Sequence, residues 1–169
     1  MNIQLIIKLV ADGAVIPIAL IGAWALIFKI PKGHRFEAYG RILMAGLTAY
    51  LLAKLLSSVY QPSTERPFQI LGVSPGALYL NNPGFPSDHA LFTAAITLAV
   101  WFETRLKTLS LILLALTLTV CVGRVLALVH TPLDVIGGLA VASLGAFWYN
   151  WRPQSMTQDH DTGSQKSQP

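Results

Sequence analysis

The sequence predicts an all-α fold, a polytopic bundle of about five transmembrane helices. Composition argues for it first: 53% of the 169 residues are hydrophobic and only 12% are charged, with a mean hydropathy of +0.55. A soluble domain carries about a quarter charged residues, so half the expected charge is missing. The lengths of the apolar stretches argue for it next, because a helix needs about 20 mainly apolar residues to cross a bilayer.

The stretches run from about Ile6 to Ile30, Ile42 to Tyr60, Ala90 to Phe102, Leu109 to Val129 and Leu133 to Trp151. The first is too long for a secretory signal and lacks a small-residue cleavage pattern before Lys29, so it reads as a retained span. Asp12 lies inside it, with no partner that the sequence identifies. The third is short unless its helix starts at Ser87. Between the second and third, the Pro- and Gly-rich segment from Gln61 to Gly84 is too polar to lie in lipid. Residues 1–151 therefore form one transmembrane domain. Residues 152–169, poor in apolar side chains, read as a disordered polar cytoplasmic tail.

Lys29, Lys32, Arg35, Arg41, Arg105, Lys107, Arg152 and Lys166 share one side of a five-span arrangement. Cytoplasmic loops collect Lys and Arg, so the N-terminus is expected outside and the C-terminus in the cytoplasm. Arg66, His89, Arg124 and His130 then share the external face. Trp101, Trp148 and Trp151 read as interfacial anchors near the cytoplasmic ends of their spans. Cys121 stands alone in an apolar run and reads as a small core residue without a disulfide. The net charge of +4 does not imply nucleic acid, because the basic residues alternate with the spans instead of forming a recognition face.

Two strings carry chemistry. Pro86-Ser87-Asp88-His89 follows a Gly-containing turn and precedes an apolar run, so Ser87 suits a helix N-cap. Free N–H groups in a first helical turn attract anions, and a phosphate there would meet the Ser87 hydroxyl and a proton on His89. A capped helix with an interfacial histidine explains the same residues more plainly. In the second string, Arg124-x5-His130-x3-Asp134, Thr131 and Pro132 open the last span and Asp134 falls in its first turn. Asp134 is then placed to hold one ring nitrogen of His130 and leave the other free to attack, as a triad carboxylate does. The plain reading has Asp134 complementing the helix dipole and Arg124 marking an interface. Ionisable groups next to lipid are costly and usually functional, which favours chemistry. Arg66, beside Glu65, reads by itself as a solvated loop arginine, and Lys54 as a residue that snorkels outward or faces the site.

Arg66-Pro67, then Phe85-Pro86-Ser87-Asp88-His89, then Gly123-Arg124-x5-His130-x3-Asp134 resembles the three-part signature of the type 2 phosphatidic acid phosphatase (PAP2) superfamily, from span two to span five. The resemblance implies an all-helical core and no metal or other cofactor. It implies His130 as a nucleophile that forms a phosphohistidine, Asp134 as its orienting partner and His89 as the acid at the leaving group. Arg66, Ser87 and Arg124 would hold phosphoryl oxygens. The chain departs from the signature at two places. Val59 stands seven residues before Arg66, where the family has a lysine. Lys54 is the nearest substitute for phosphate binding, given an altered loop or a lengthened helix. Gly123 stands where Ser is frequent, which removes one phosphate donor. The Phe-Pro-Ser-Asp-His form is similar to the branch that dephosphorylates undecaprenyl diphosphate in bacterial inner membranes, with Asp88 where phosphatidic acid and phosphatidylglycerophosphate enzymes more often have Gly.

The expected activity is therefore hydrolysis of a lipid phosphate or diphosphate at the periplasmic face. Two other readings stand beside it. One is metal-assisted hydrolysis with His89, His130, Asp88 and Asp134 as ligands, which the nearby arginines oppose. The other is a non-catalytic lipid-phosphate binder or transporter, for which two histidines and an orienting carboxylate have no use.

Overall fold

A computed structural model describes residues 2–63 and 65–151, and the expected tail at 152–169 lies outside the described residues. All regular structure in this region is helical. Helix α1 (Ile3–Lys8) passes through a π-helical turn at Leu9–Gly13 into α2 (Val15–Phe28). After a 3₁₀ turn at Lys32–His34 comes α3 (Arg35–Val59), then the short α4 (Pro67–Ile70), α5 (Asp88–Glu103), α6 (Lys107–Leu126) and α7 (Pro132–Gly145). A last 3₁₀ stretch covers Ala146–Asn150.

Four helical stretches are long and apolar enough to cross a membrane: Ile3–Phe28, Lys32–Val59, Lys107–Leu126 and Pro132–Asn150. The sequence expectation of about five is approximate in this respect. The third of the five expected stretches, absent from these four, is α5, which spans 16 residues, or about 24 Å at 1.5 Å per residue. It starts at Asp88 with Ser87 as its cap, as the capping pattern predicts. Helix α5 is also the centre of the bundle, packed against α2, α3, α6 and α7. Enclosed by protein, it tolerates Thr93 and Thr97, and the Thr97 and Thr117 hydroxyls share a hydrogen bond of 3.0 Å between α5 and α6. The second stretch begins earlier than expected, at Arg35 instead of Ile42.

Small residues let these helices approach closely, as lipid-embedded helices require. The inner face of α3 is Ala38, Ala45, Ala49 and Ala53. A Cβ on Gly145 of α7 would stand 2.5 Å from the Ala45 carbonyl oxygen, and one on Gly22 of α2 would stand 2.2 Å from a methyl of Ile96. Leu20, Leu43, Leu111, Ile112, Leu118 and Leu144 point outward and exposed. In water that surface would drive aggregation, whereas lipid solvates it. This is a membrane protein.

The two ends of the bundle differ. At one end Arg41 forms a two-pronged ion pair with Glu103, at 2.7 and 2.8 Å, joining α3 to α5. Arg35 donates to the Ile27 and Ile30 carbonyls at the same end. The opposite end carries the segment between α3 and α5 and the turn between α6 and α7, and there the chemical motifs meet. The indole N–H of Trp148 donates to the Thr48 hydroxyl at 2.9 Å and ties the last 3₁₀ stretch to α3.

Candidate active site

Each motif is shaped by local rules before it is packed. Thr131 caps α7, its hydroxyl accepting from the Asp134 N–H at 3.2 Å. Asp134 returns the bond, its Oδ2 accepting from the Thr131 N–H at 2.7 Å. This capping box, with Pro132 opening the helix, fixes Asp134 just past His130. The turn before His130 needs a left-handed residue, and Leu128 takes it with φ of 60°. A bulky side chain there is under strain. The strain is held by bonds on either side: Leu128 N–H to the Val125 carbonyl, and Phe68 N–H to the Leu128 carbonyl.

Tertiary contacts then bring the three motifs together. The Ser87 N–H donates to the Asp134 carbonyl at 2.9 Å. Gly138 permits that approach, since a Cβ there would lie 2.6 Å from the Ser87 carbonyl oxygen. Arg66 reaches across with Nη1 to the Val129 carbonyl at 2.6 Å, and with Nη2 to the Leu80 carbonyl and to Asn82. Asn82 Nδ2 donates in turn to Asp88 Oδ2 at 3.3 Å. Thus Arg66 grips the main chain beside His130 and is tied through Asn82 to the residue before His89. These bonds fix where its guanidinium stands.

His130 and Asp134 are both buried. The imidazole Nδ1 lies 3.5 Å from Asp134 Oδ2. That separation exceeds the usual hydrogen-bond range, and Nδ1 has no hydrogen-bond partner among the described residues. The carboxylate is nonetheless the charged group beside Nδ1. Burial, aided by the charges of Arg124 and Arg66, lowers the pKa of His130, and Asp134 opposes it. The ring is therefore neutral at neutral pH. Half-buried His89 lies within electrostatic reach of Arg124, Asp12, His130 and Asp88.

Arg124 is almost wholly buried, and Asp12 supplies the partner that the sequence leaves unidentified. Nη1 of Arg124 donates to Asp12 Oδ1 at 2.7 Å and to the Leu78 carbonyl at 2.8 Å. Asp12 comes from the π-helical turn of the first span, which nestles against α6 at Gly123. Its position as a carboxylate in an apolar run is the one signal that marks it in the sequence. Asn82 had no such signal. Lys54 stays outside this group: it is exposed on α3 and its ammonium lies 5.3 Å from the centre of the Tyr50 ring. Ser87 is buried, and its hydroxyl oxygen faces the Ala90 N–H at 3.5 Å, a contact that leaves its O–H donor unused. A polar cleft of about 60 Å³ opens beside Arg66, Asn82, Thr131 and Asp134. Among the described residues, no group of three or more His, Cys, Asp or Glu is placed to hold a metal ion.

The family model described as the PAP2 superfamily matches residues 38–157. The chain belongs to the PAP2 superfamily. PAP2 members are phosphatases that act on phosphate esters, which at that level makes this chain a phosphoric-ester hydrolase. Comparison with curated proteins and with solved structures gave no match. The PAP2 match covers all three motifs and leaves out the first span, so Asp12 lies outside it.

Proposed function

We propose that this PAP2 protein is a membrane lipid phosphatase that works through a phosphohistidine, and that its substrate is undecaprenyl diphosphate, cleaved to undecaprenyl phosphate. The observation that carries the reading is the buried His130 facing Asp134 at 3.5 Å, with Arg124 and Arg66 near enough that their charges, together with burial, favour its neutral form. A neutral imidazole is a nucleophile, and its neighbouring cations suit an anionic phosphoryl group rather than a metal ion. The nitrogen of His130 that faces away from Asp134 attacks phosphorus in line. The bond to the leaving oxygen breaks, and His89 gives that oxygen a proton. Water, relieved of a proton by His89, then attacks the phosphohistidine and releases phosphate. Arg124, Arg66 and the Ser87 region neutralise the phosphoryl oxygens in this scheme. Lys54, exposed on α3, takes no part in it.

The diphosphate preference rests on Asp88 within Phe85-Pro86-Ser87-Asp88-His89. A diphosphate also leaves behind a lipid monophosphate, a better leaving group than an alkoxide. The external, periplasmic placement rests on the basic residues 29, 32, 35, 41, 105 and 107, which gather at the end opposite the site.

Purified protein should release phosphate from undecaprenyl diphosphate faster than from phosphatidic acid or phosphatidylglycerophosphate. His130→Ala should lose turnover by at least about 10⁴-fold while remaining folded. Acid-quenched wild type should carry label from substrate phosphorus on His130. Phosphatase activity surviving in the folded His130→Ala protein ends this reading, and a faster rate on one of the other two lipids reassigns the substrate.

A further inference from the structure

The first span contributes a carboxylate to the site of a protein whose family match begins only at residue 38. Asp12 accepts from two directions. Oδ1 takes Nη1 of Arg124 at 2.7 Å and Oδ2 takes the Leu78 N–H at 2.8 Å. Arg124 Nη1 closes the ring on the Leu78 carbonyl at 2.8 Å. Three segments distant in sequence are thus clasped together: the π-helical turn, the loop before α5 and the end of α6.

Two further observations give the clasp a purpose. The π-helical turn widens the helix at Leu9–Gly13, next to the position where Gly123 lets it approach α6. Such turns inside α-helices occur often at functional sites. Moreover, Nε of Arg124 is buried and has no hydrogen-bond partner among the described residues. A guanidinium held by one nitrogen, with another buried donor unspent, is set up to receive an acceptor that arrives later. A buried charge also needs a fixed countercharge to remain in place between turnovers.

We propose that Asp12 is a positioning residue for catalysis: it locks the Arg124 guanidinium so that its unspent donors face the phosphoryl oxygens. The inference rests on the phosphatase reading and deepens it. Asp12 touches neither substrate nor the reacting atoms. It acts through Arg124, and the carbonyl of Leu78 keeps the guanidinium from pivoting.

The test uses full-length protein in detergent, with orthovanadate as a probe of the phosphoryl site and thermal melting as the readout. Vanadate affinity comes from the rise in melting temperature with concentration, and the vanadate-free melt reports folding alone. Asp12→Asn should weaken vanadate binding about tenfold and Asp12→Ala by more, whereas Asp12→Glu, which keeps the charge, should stay within about threefold of wild type. In lipid assays kcat should fall in the same order. If Asp12→Ala does not fold, the near-isosteric Asn variant decides. Asp12→Asn that melts lower without vanadate yet binds it as tightly as wild type would show a purely structural acid and overturn the inference. A wild type that neither hydrolyses lipid phosphates nor responds to vanadate removes the phosphatase reading, and the role of Asp12 with it.

Discussion

The main-chain N–H of Ser87 donates to the carbonyl of Asp134 across 2.9 Å. One bond thereby joins the residue that caps α5 to the residue that faces His130. His89, two positions after Ser87, and His130, four before Asp134, are consequently set by the same contact. Two capped helix starts meet at this point. A helix start is a stiff place to mount a side chain, because the cap and the first turn fix the backbone.

Asp134 has two duties that one substitution separates. Thr131 is the cap, and Asp134 accepts the Thr131 N–H from the third helical position; Asn keeps an oxygen for that bond, so Asp134→Asn should leave the start of α7 and the thermal stability nearly unchanged. A neutral amide beside Nδ1 holds the productive tautomer less firmly than a carboxylate and stabilises no imidazolium. Turnover should fall by about 10²–10⁴-fold. Phosphate release and a melting curve on the same preparation check this. Equal activity in the folded variant would mean that the carboxylate serves only the helix.

Gly123 is a packing position. A Cβ there would stand 2.8 Å from a methyl of Val10, 2.9 Å from the Ala11 main-chain nitrogen and 3.0 Å from the Ala11 Cα. Backbone cannot turn aside as a side chain can. Gly123→Ser, which brings the third motif nearer to the common family form, should therefore destabilise the protein by about 1–3 kcal/mol. It should also lower activity by moving the π-helical turn away from Arg124. A Ser variant as stable as wild type, or one with higher turnover, would contradict this account of the departure.

The acid limb of the rate profile has a definite direction. The nucleophile must be neutral, and protonating it stops attack. His130 is held below its ordinary pKa, chiefly by burial, so it stays neutral as pH falls past about 6.5, where an unperturbed histidine gains its proton. Loss of labelled phosphohistidine formation, followed in single turnovers from pH 8 downward, should therefore set in below pH 6.5. An acid limb centred at or above 6.5 would show that the ring is not shielded in this way.

Much of this was legible in the chain itself. Low charge and long apolar runs imply membrane helices wherever they occur, because no partner is needed to make a stretch apolar. Caps are equally local: Ser87 before α5 and Thr131-Pro132 before α7 act through neighbours three residues away, so the helix starts, and with them the positions of His89 and Asp134, can be read from spacing. The short third stretch was harder, since α5 is enclosed by four helices and need not satisfy the apolar demand that lipid makes.

Side-chain partners across the bundle belong to the tertiary structure alone. Nothing in the spacing of Asp12 and Arg124, separated by 112 residues, indicates that they meet. The meeting depends on a π-helical turn and on a glycine small enough to admit it. Arg66 likewise looked like a phosphate ligand or a solvated loop residue, and only packing revealed that it grips the Val129 carbonyl and Asn82. Lys54 was a lysine in the right neighbourhood of the sequence but on the outer side of its helix. The chain's pattern determined what kinds of group stand at this end of the membrane. The approach of backbones at Gly123 and Gly138, a matter of volume excluded in three dimensions, decided which of them touch.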